Sequence, residues 1–239
     1  MKATVVLVHG AFHGAWCWKL VEEGLGAAGI PVRAQDLPGH GASAESLGSL
    51  AEDAEAVRRV LASCDGPVVL CGHSYGGAVI TEAVDEGAEG ACVEHLVYLA
   101  AAVPDVGESM VDVIPEIAES VLASAVDFRS DGTSLVDPTR AAGIFYPDCD
   151  DATAQWAVSQ LGSQQSGSFL VPATRAPWRK LPATYVVCGD DAVIPVSAQQ
   201  RQAQRCPERV VWDTSHSPML SQPDLLISLL GDLASRERC

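Results

Sequence analysis

Positive charge is scarce in this sequence: 15 Lys and Arg stand against 31 Asp and Glu, a formal net charge of −16 over 239 residues. No basic field is available for a phosphate backbone, so nucleic acid is excluded as an expected partner, and so is an anionic membrane surface. No apolar run reaches 18 residues, which excludes a spanning helix. The apolar run Val5 to Val8 is too short for a signal peptide. There is no Cys-x-x-Cys pair, no histidine cluster with zinc-ligand spacing, no internal repeat and no low-complexity tract. The eight cysteines (Cys17, Cys64, Cys71, Cys92, Cys149, Cys188, Cys206 and Cys239) read as free thiols. Cys71 and Cys188 lie in apolar strand-like runs, where a buried thiol packs well. The expectation is a soluble, reduced, cytoplasmic protein without metal or organic cofactor.

What is present is a globular composition: 48% hydrophobic residues, 19% charged and a mean hydropathy of +0.15. A chain of this length buries roughly 70–75% of its extended surface on folding and needs no disulfide or metal staple. Short apolar runs alternate with amphipathic ones. Val5 to Val8, Ile30 to Gln35, Pro67 to Cys71, Val93 to Ala100, Tyr185 to Cys188 and Val210 to Trp212 read as strands. Trp18 to Gly29 (with Leu20, Val21 and Leu25 inward), Leu50 to Leu61, Gly76 to Val84 and Pro223 to Leu233 read as helices. Strands apolar on both faces and alternating with helices predict an α/β fold with a mostly parallel sheet covered on both sides. Residues 104–182 break the alternation. Helical stretches at Ile114 to Val126 and Thr153 to Leu161 flank a Gly/Pro/Asp-rich connection, which predicts a small, mainly helical cap inserted into a core of residues 1–103 and 183–239.

Gly72-His73-Ser74-Tyr75-Gly76 follows a predicted strand and opens a predicted helix. That is the context of a nucleophile elbow, where a strained turn lifts a serine above the sheet and the flanking glycines let helix and strand close up. The bland alternative is a chance glycine-rich turn. Serine needs a base, and of six histidines only His216 follows a late strand in a short polar loop. His73 reads as structural, His40 as shaping the turn Asp36 to Gly41, and His95 as a strand histidine. The acid belongs after Tyr185 to Cys188, where Asp190 and Asp191 are both available; Asp213 is a weaker rival. One oxyanion donor is the Tyr75 amide, and the other comes from the loop after the first strand, Ala11 ahead of Phe12. Phe12, Tyr75, Trp156, Trp178 and Met219 are candidate pocket residues, with core packing an equal reading for each; Trp16 and Trp18 read as helix-to-sheet packing.

The text VVLVHGAFHGAWCW, DLPGHGAS, CGHSYGG, VYLAAAVP, CGDDAVIP and SHSPMLSQP resembles the α/β-hydrolase superfamily. More narrowly it resembles the plant-type methylesterase and hydroxynitrile lyase family with its bacterial esterase relatives. The resemblance implies a nucleophile at Ser74, a base at His216, an oxyanion amide at Ala11 and, by the family's Asp-to-Pro spacing, an acid at Asp191 rather than Asp190. Lyases of that family carry a threonine and a lysine where this chain has Gly10 and Ser217. The implied activity is therefore hydrolysis of a small to medium apolar ester or lactone through an acyl-serine. Rival readings are a lyase or polyketide-tailoring cyclase on the same triad, and a small-molecule receptor on the same fold. The cap or the last helix is the place for a homodimer contact.

Overall fold

The computed structural model describes residues 2–84 and 92–236, apart from the Cys92 side chain. Six parallel strands form the main sheet: β1 (Thr4–Val8), β2 (Val32–Gln35), β3 (Pro67–His73), β4 (Cys92–Leu99), β8 (Ala183–Cys188) and β9 (Glu208–Trp212), in the order β2-β1-β3-β4-β8-β9. The inner strands β1, β3 and β8 are almost wholly buried, as their unbroken Val and Leu runs require. Edge strand β9 is mostly exposed or half-buried.

The core helices are α1 (Lys19–Ala27), α2 (Leu50–Ala62), α3 (Tyr75–Ala83), α7 (Val196–Ala203), α8 (Pro218–Ser221) and α9 (Pro223–Ser235). Right-handed crossovers put α1 on one face of the sheet and α2 and α3 on the other, and α1 packs on α9 while α2 packs on α3. Ser49 and Glu52 form a reciprocal capping box that starts α2. Leu20, expected to face inward, is 41% exposed, while Val21 and Leu25 are buried. The amphipathic stripe of α1 is thus narrower than the sequence pattern implies. Among the described residues, no helix is long and apolar enough to cross a membrane.

Between β4 and β8 the chain forms α4 (Met110–Val113), β5 (Val126–Phe128), β6 (Thr133–Val136), α5 (Pro138–Phe145), α6 (Asp151–Gln160) and β7 (Gln164–Gln165). The three strands make a small antiparallel sheet in the order β5-β6-β7. The expected helix over Ile114 to Val126 is not formed. Two 3-10 turns, Pro115–Glu119 and Ala123–Ala125, lead into β5 instead. Ser120 separates them: its backbone is extended, and its hydroxyl donates to Ile117 O (2.7 Å) and accepts from Ala123 N, a local bonding pattern that competes with a helix ladder. The stretch read as a connection contains α5, which starts at Pro138 behind an Asp137 cap.

The direction of winding reverses between β1 and β3. From β1 the chain crosses to β2, and from β3 it crosses the other way to β4. The loops after β1 and β3 part at this point, leaving a crevice at their carboxyl ends. Helix α3 rises from it pressed hard against β1: a Cβ on Gly76 would lie 2.7 Å from the carbonyl oxygens of both Val8 and His9. Gly76→Ala is therefore expected to lower unfolding free energy by about 1–3 kcal/mol, read from urea denaturation. An unchanged midpoint would mean that α3 shifts without cost.

Candidate active site

Ser74 stands at the junction of β3 and α3 with φ 54° and ψ −117°. The turn is held on both sides. Ser74 N donates to Leu99 O (3.1 Å), and Ser74 O accepts from Gly77 N (3.1 Å) and Ala102 N (3.2 Å). Gly72 and Gly77 allow the approach, since a Cβ on either would fall within 2.4 Å of a backbone oxygen.

Asp191 and His216 come from the loops after β8 and β9 and meet in a fully enclosed contact, Asp191 Oδ2 to His216 Nδ1 at 2.7 Å. A carboxylate only accepts, so the ring proton sits on Nδ1 and Nε2 is left as the free nitrogen. Asp191 is locked in turn: Oδ1 accepts from Val193 N (2.7 Å) and Ile194 N (3.0 Å), and Oδ2 accepts from Gln199 Nε2 (2.9 Å). Asp190 and Asp213 are exposed, and neither takes this place. His216 lines the same cavity as Ser74. No hydrogen bond joins Ser74 Oγ to His216 Nε2 among the described residues; such contacts commonly tighten only when substrate arrives.

Two supports were not visible in the sequence, Gln199 and Asp148, and a third, His73, is structural as expected. Gln199 of α7 bridges Cys188 N, Cys188 O, Ile194 O and Asp191. Asp148, from the segment between β4 and β8, binds Ser215 through its amide (2.9 Å) and hydroxyl, and also the Ser221 hydroxyl (2.9 Å), so it pins the loop that carries His216. His73 donates from Nε2 to His216 O (2.8 Å).

The loop after β1 passes beside Ser74, close enough that a Cβ on Gly10 would lie 3.0 Å from the serine Cβ. Among the described residues, the amides of Ala11, Phe12 and Tyr75 have no protein acceptor. Burial drives His13 down to about 4, and holds His9 and His73 well below the ordinary histidine value, with the neighbouring His40 and His216 adding to the effect at His9 and His73 respectively. These three rings are neutral and bring no charge to the site.

The cavity above Ser74 has a volume of about 400 Å³. Phe12 lines it, with Met110, Ile117, Leu122, Phe145 and Phe169 from the inserted segment. Phe128 and Leu170 also line it while remaining about two-thirds exposed, so they mark its mouth. No Lys, Arg, Asp or Glu is among its lining residues. Three expected pocket residues lie elsewhere. Trp156 sits on the surface edge-on to Trp16 (5.4 Å). Trp178 donates to Pro104 O (2.9 Å), with the guanidinium groups of Arg179 and Arg205 each 5.6 Å from its ring. Met219 is wholly buried in α8. The Tyr75 ring also turns away, donating its hydroxyl to Asp53 (2.7 Å). Six cysteines are free thiols; the Cys92 side chain and Cys239 lie outside the described residues. Among the described residues, no group of three or more His, Cys, Asp or Glu is arranged to hold a metal.

Comparison with known proteins agrees with the fold. The family model described as "Alpha/beta hydrolase family" matches residues 5–229. The chain belongs to the alpha/beta hydrolase family. It is 32% identical to the alpha/beta hydrolase nvfD of Aspergillus novofumigatus, over 98% of this chain and 97% of that one. It is 29% identical to Methylesterase 7 of Arabidopsis thaliana, over 97% and 96% respectively. Among solved structures, a pyrethroid hydrolase from Sphingobium faniae JZ-2 superposes with a TM-score of 0.82 at 26% identity, covering 98% of both chains.

Two measurements test the scaffold. Gln199→Leu would leave the Cys188 amide and two carbonyls without their partner, and is expected to cost about 1–3 kcal/mol in thermal or chemical unfolding. Asp53 is pushed up from 3.8 to about 7, chiefly by burial. A carboxyl raised in the folded state contributes stability at low pH and loses it as pH rises from near 3.8 through about 7. Asp53→Asn, which can still accept from Tyr75, should cancel that loss. The stability difference, variant minus wild type, should grow across this window. The buried histidines act on both proteins alike and drop out of the difference.

Proposed function

We propose that the protein is a serine carboxylic-ester hydrolase for uncharged, apolar esters or lactones. The observation that carries the reading is the enclosed Asp191–His216 contact at 2.7 Å, opening on the same cavity as a serine held at φ 54°. The relatives named as hydrolases and methylesterases support the bond type. A cavity lined mostly by aliphatic and aromatic side chains, with no Lys, Arg, Asp or Glu among them, supports the substrate class.

In this mechanism His216 Nε2 takes the hydroxyl proton of Ser74 as its oxygen attacks the ester carbonyl. Asp191 holds the imidazole in the Nδ1–H form and stabilises the imidazolium that follows. The oxygen that gains charge is met by the amides of Tyr75 and Ala11. Collapse of the tetrahedral species expels the alcohol, which takes the proton from His216. Water, deprotonated by His216, then cleaves the acyl-Ser74 ester and releases the acid.

The test is a p-nitrophenyl butyrate assay with intact-protein mass measurement. Wild type should give a burst of nitrophenol and a butyryl adduct on Ser74. Ser74→Ala should lose at least about three orders of magnitude in kcat and form no adduct. Nitrophenol release that survives in Ser74→Ala would overturn the acyl-serine mechanism, and a wild type inert to esters would favour lyase or cyclase chemistry on the same residues.

A further inference from the structure

Phe12 adopts φ 67°, a conformation an L side chain enters only when its surroundings impose it. The peptide units around it are each gripped at the carbonyl. Gly10 O accepts from His9 Nδ1 (2.8 Å), Ala11 O accepts from His13 Nδ1 (2.8 Å) and Phe12 O accepts from Gly162 N (2.8 Å). A peptide unit is planar, so fixing its C=O also aims the N–H on its far side. The Gly10–Ala11 unit carries the Ala11 amide, and the Ala11–Phe12 unit carries the Phe12 amide. Both donors beside Ser74 are thus directed from behind.

The two histidine clamps differ in what fixes the ring. His9 Nε2 accepts from Leu37 N (3.1 Å), within the main sheet and its loops. His13 Nε2 accepts from the hydroxyl of Tyr146 (2.7 Å), in the segment inserted between β4 and β8. A carbonyl cannot donate, so Ala11 O requires the proton on His13 Nδ1, and the Tyr146 hydroxyl satisfies the opposite nitrogen in that tautomer. The His13 ring is stacked on Trp16 (5.4 Å) and meets the edge of Phe145 (5.2 Å), so it stays in place while its tautomer is chosen.

We propose that Tyr146 is a positioning residue of the inserted segment, acting through the His13 ring on Ala11 O to fix the Ala11–Phe12 peptide and with it, through the Cα the two peptides share, the adjoining Ala11 amide that meets the oxyanion. This rests on the ester-hydrolase reading above. Without the hydroxyl, Nε2 of the buried ring loses its partner, and the ring shifts at the expense of its bond to Ala11 O, which releases the turn. The inserted segment is then part of the acyl-transfer apparatus as well as the wall of the cavity.

Tyr146→Phe removes one oxygen and keeps the ring. With p-nitrophenyl butyrate we expect kcat to fall about 10- to 100-fold while KM stays within about twofold. Inhibition by an apolar aryl trifluoromethyl ketone, which places an oxyanion in the same spot, should weaken by the same factor as kcat/KM. Inhibition by benzyl alcohol, a ground-state ligand, should not change. His13→Ala should show a comparable loss, and adding Tyr146→Phe to it should cost nothing further. Losses that multiply in the double variant, a change confined to KM or thermal stability, or an unchanged kcat in an active wild-type background would each overturn the relay alone. A wild type that neither cleaves esters nor binds the ketone would overturn the hydrolase reading, and the relay with it.

Discussion

The site depends on backbone held where it would not rest by itself. The three non-glycine residues with positive φ among those described are Phe12, Ser74 and Ala100, which follow β1, β3 and β4. Each such residue costs on the order of 1–3 kcal/mol, and the strands beside it supply the restraint. Ala100 N is bound by Val186 O (2.9 Å), and the Tyr185 hydroxyl both donates to Ala101 O and accepts from Ala101 N. That fixes Ala102, whose amide in turn holds Ser74 O. The strain at Ser74 is therefore carried across the sheet as far as β8.

Polar groups around the cavity are arranged by hydrogen bonds with neutral partners more than by charge. His9, His13 and His73 are each committed at one nitrogen to a backbone carbonyl, and burial keeps them uncharged. Two carboxylates hold the loop that carries His216, Asp191 directly on its ring and Asp148 on Ser215. The rest of the −16 charge leaves the cavity lining untouched. A low-dielectric site makes each fixed dipole count for more than it would in water.

The sheet and the elbow were legible because their physics is local. Buried parallel strands must be apolar on both faces, as Val5 to Val8 and Val68 to Cys71 are, and a Gly-x-Ser-x-Gly turn needs its glycines at fixed spacing. The choice between Asp190 and Asp191 was not local. It depends on which of two neighbouring carboxylates faces a loop 25 residues away. The inserted segment was the least readable. Ser120 splits an apparent helix, and Asp137-Pro138 starts α5 inside a stretch whose composition reads as a connection. The pocket walls are not legible from residue type, since some aromatic rings line the cavity and others pack elsewhere. Trp178 satisfies its indole N–H outside the cavity, and the walls come instead from residues such as Ile117 and Leu122. Gln199 carried no motif at all; its side chain matters only because α7 presents it to Asp191 and Cys188 at once.

A lining without a cation also bears on how a catalytic cycle ends. Cleaving a neutral ester turns an uncharged guest into a carboxylate. An isolated carboxylate in apolar surroundings loses its hydration with nothing in return, and here no Lys or Arg lines the cavity to replace it. On the proposed ester-hydrolase reading, the acid product is thereby a poorer ligand than the ester it came from. On that reading the acid leaves more readily than the ester does, past the exposed Phe128 and Leu170 into solvent, and the cavity is not clogged by it.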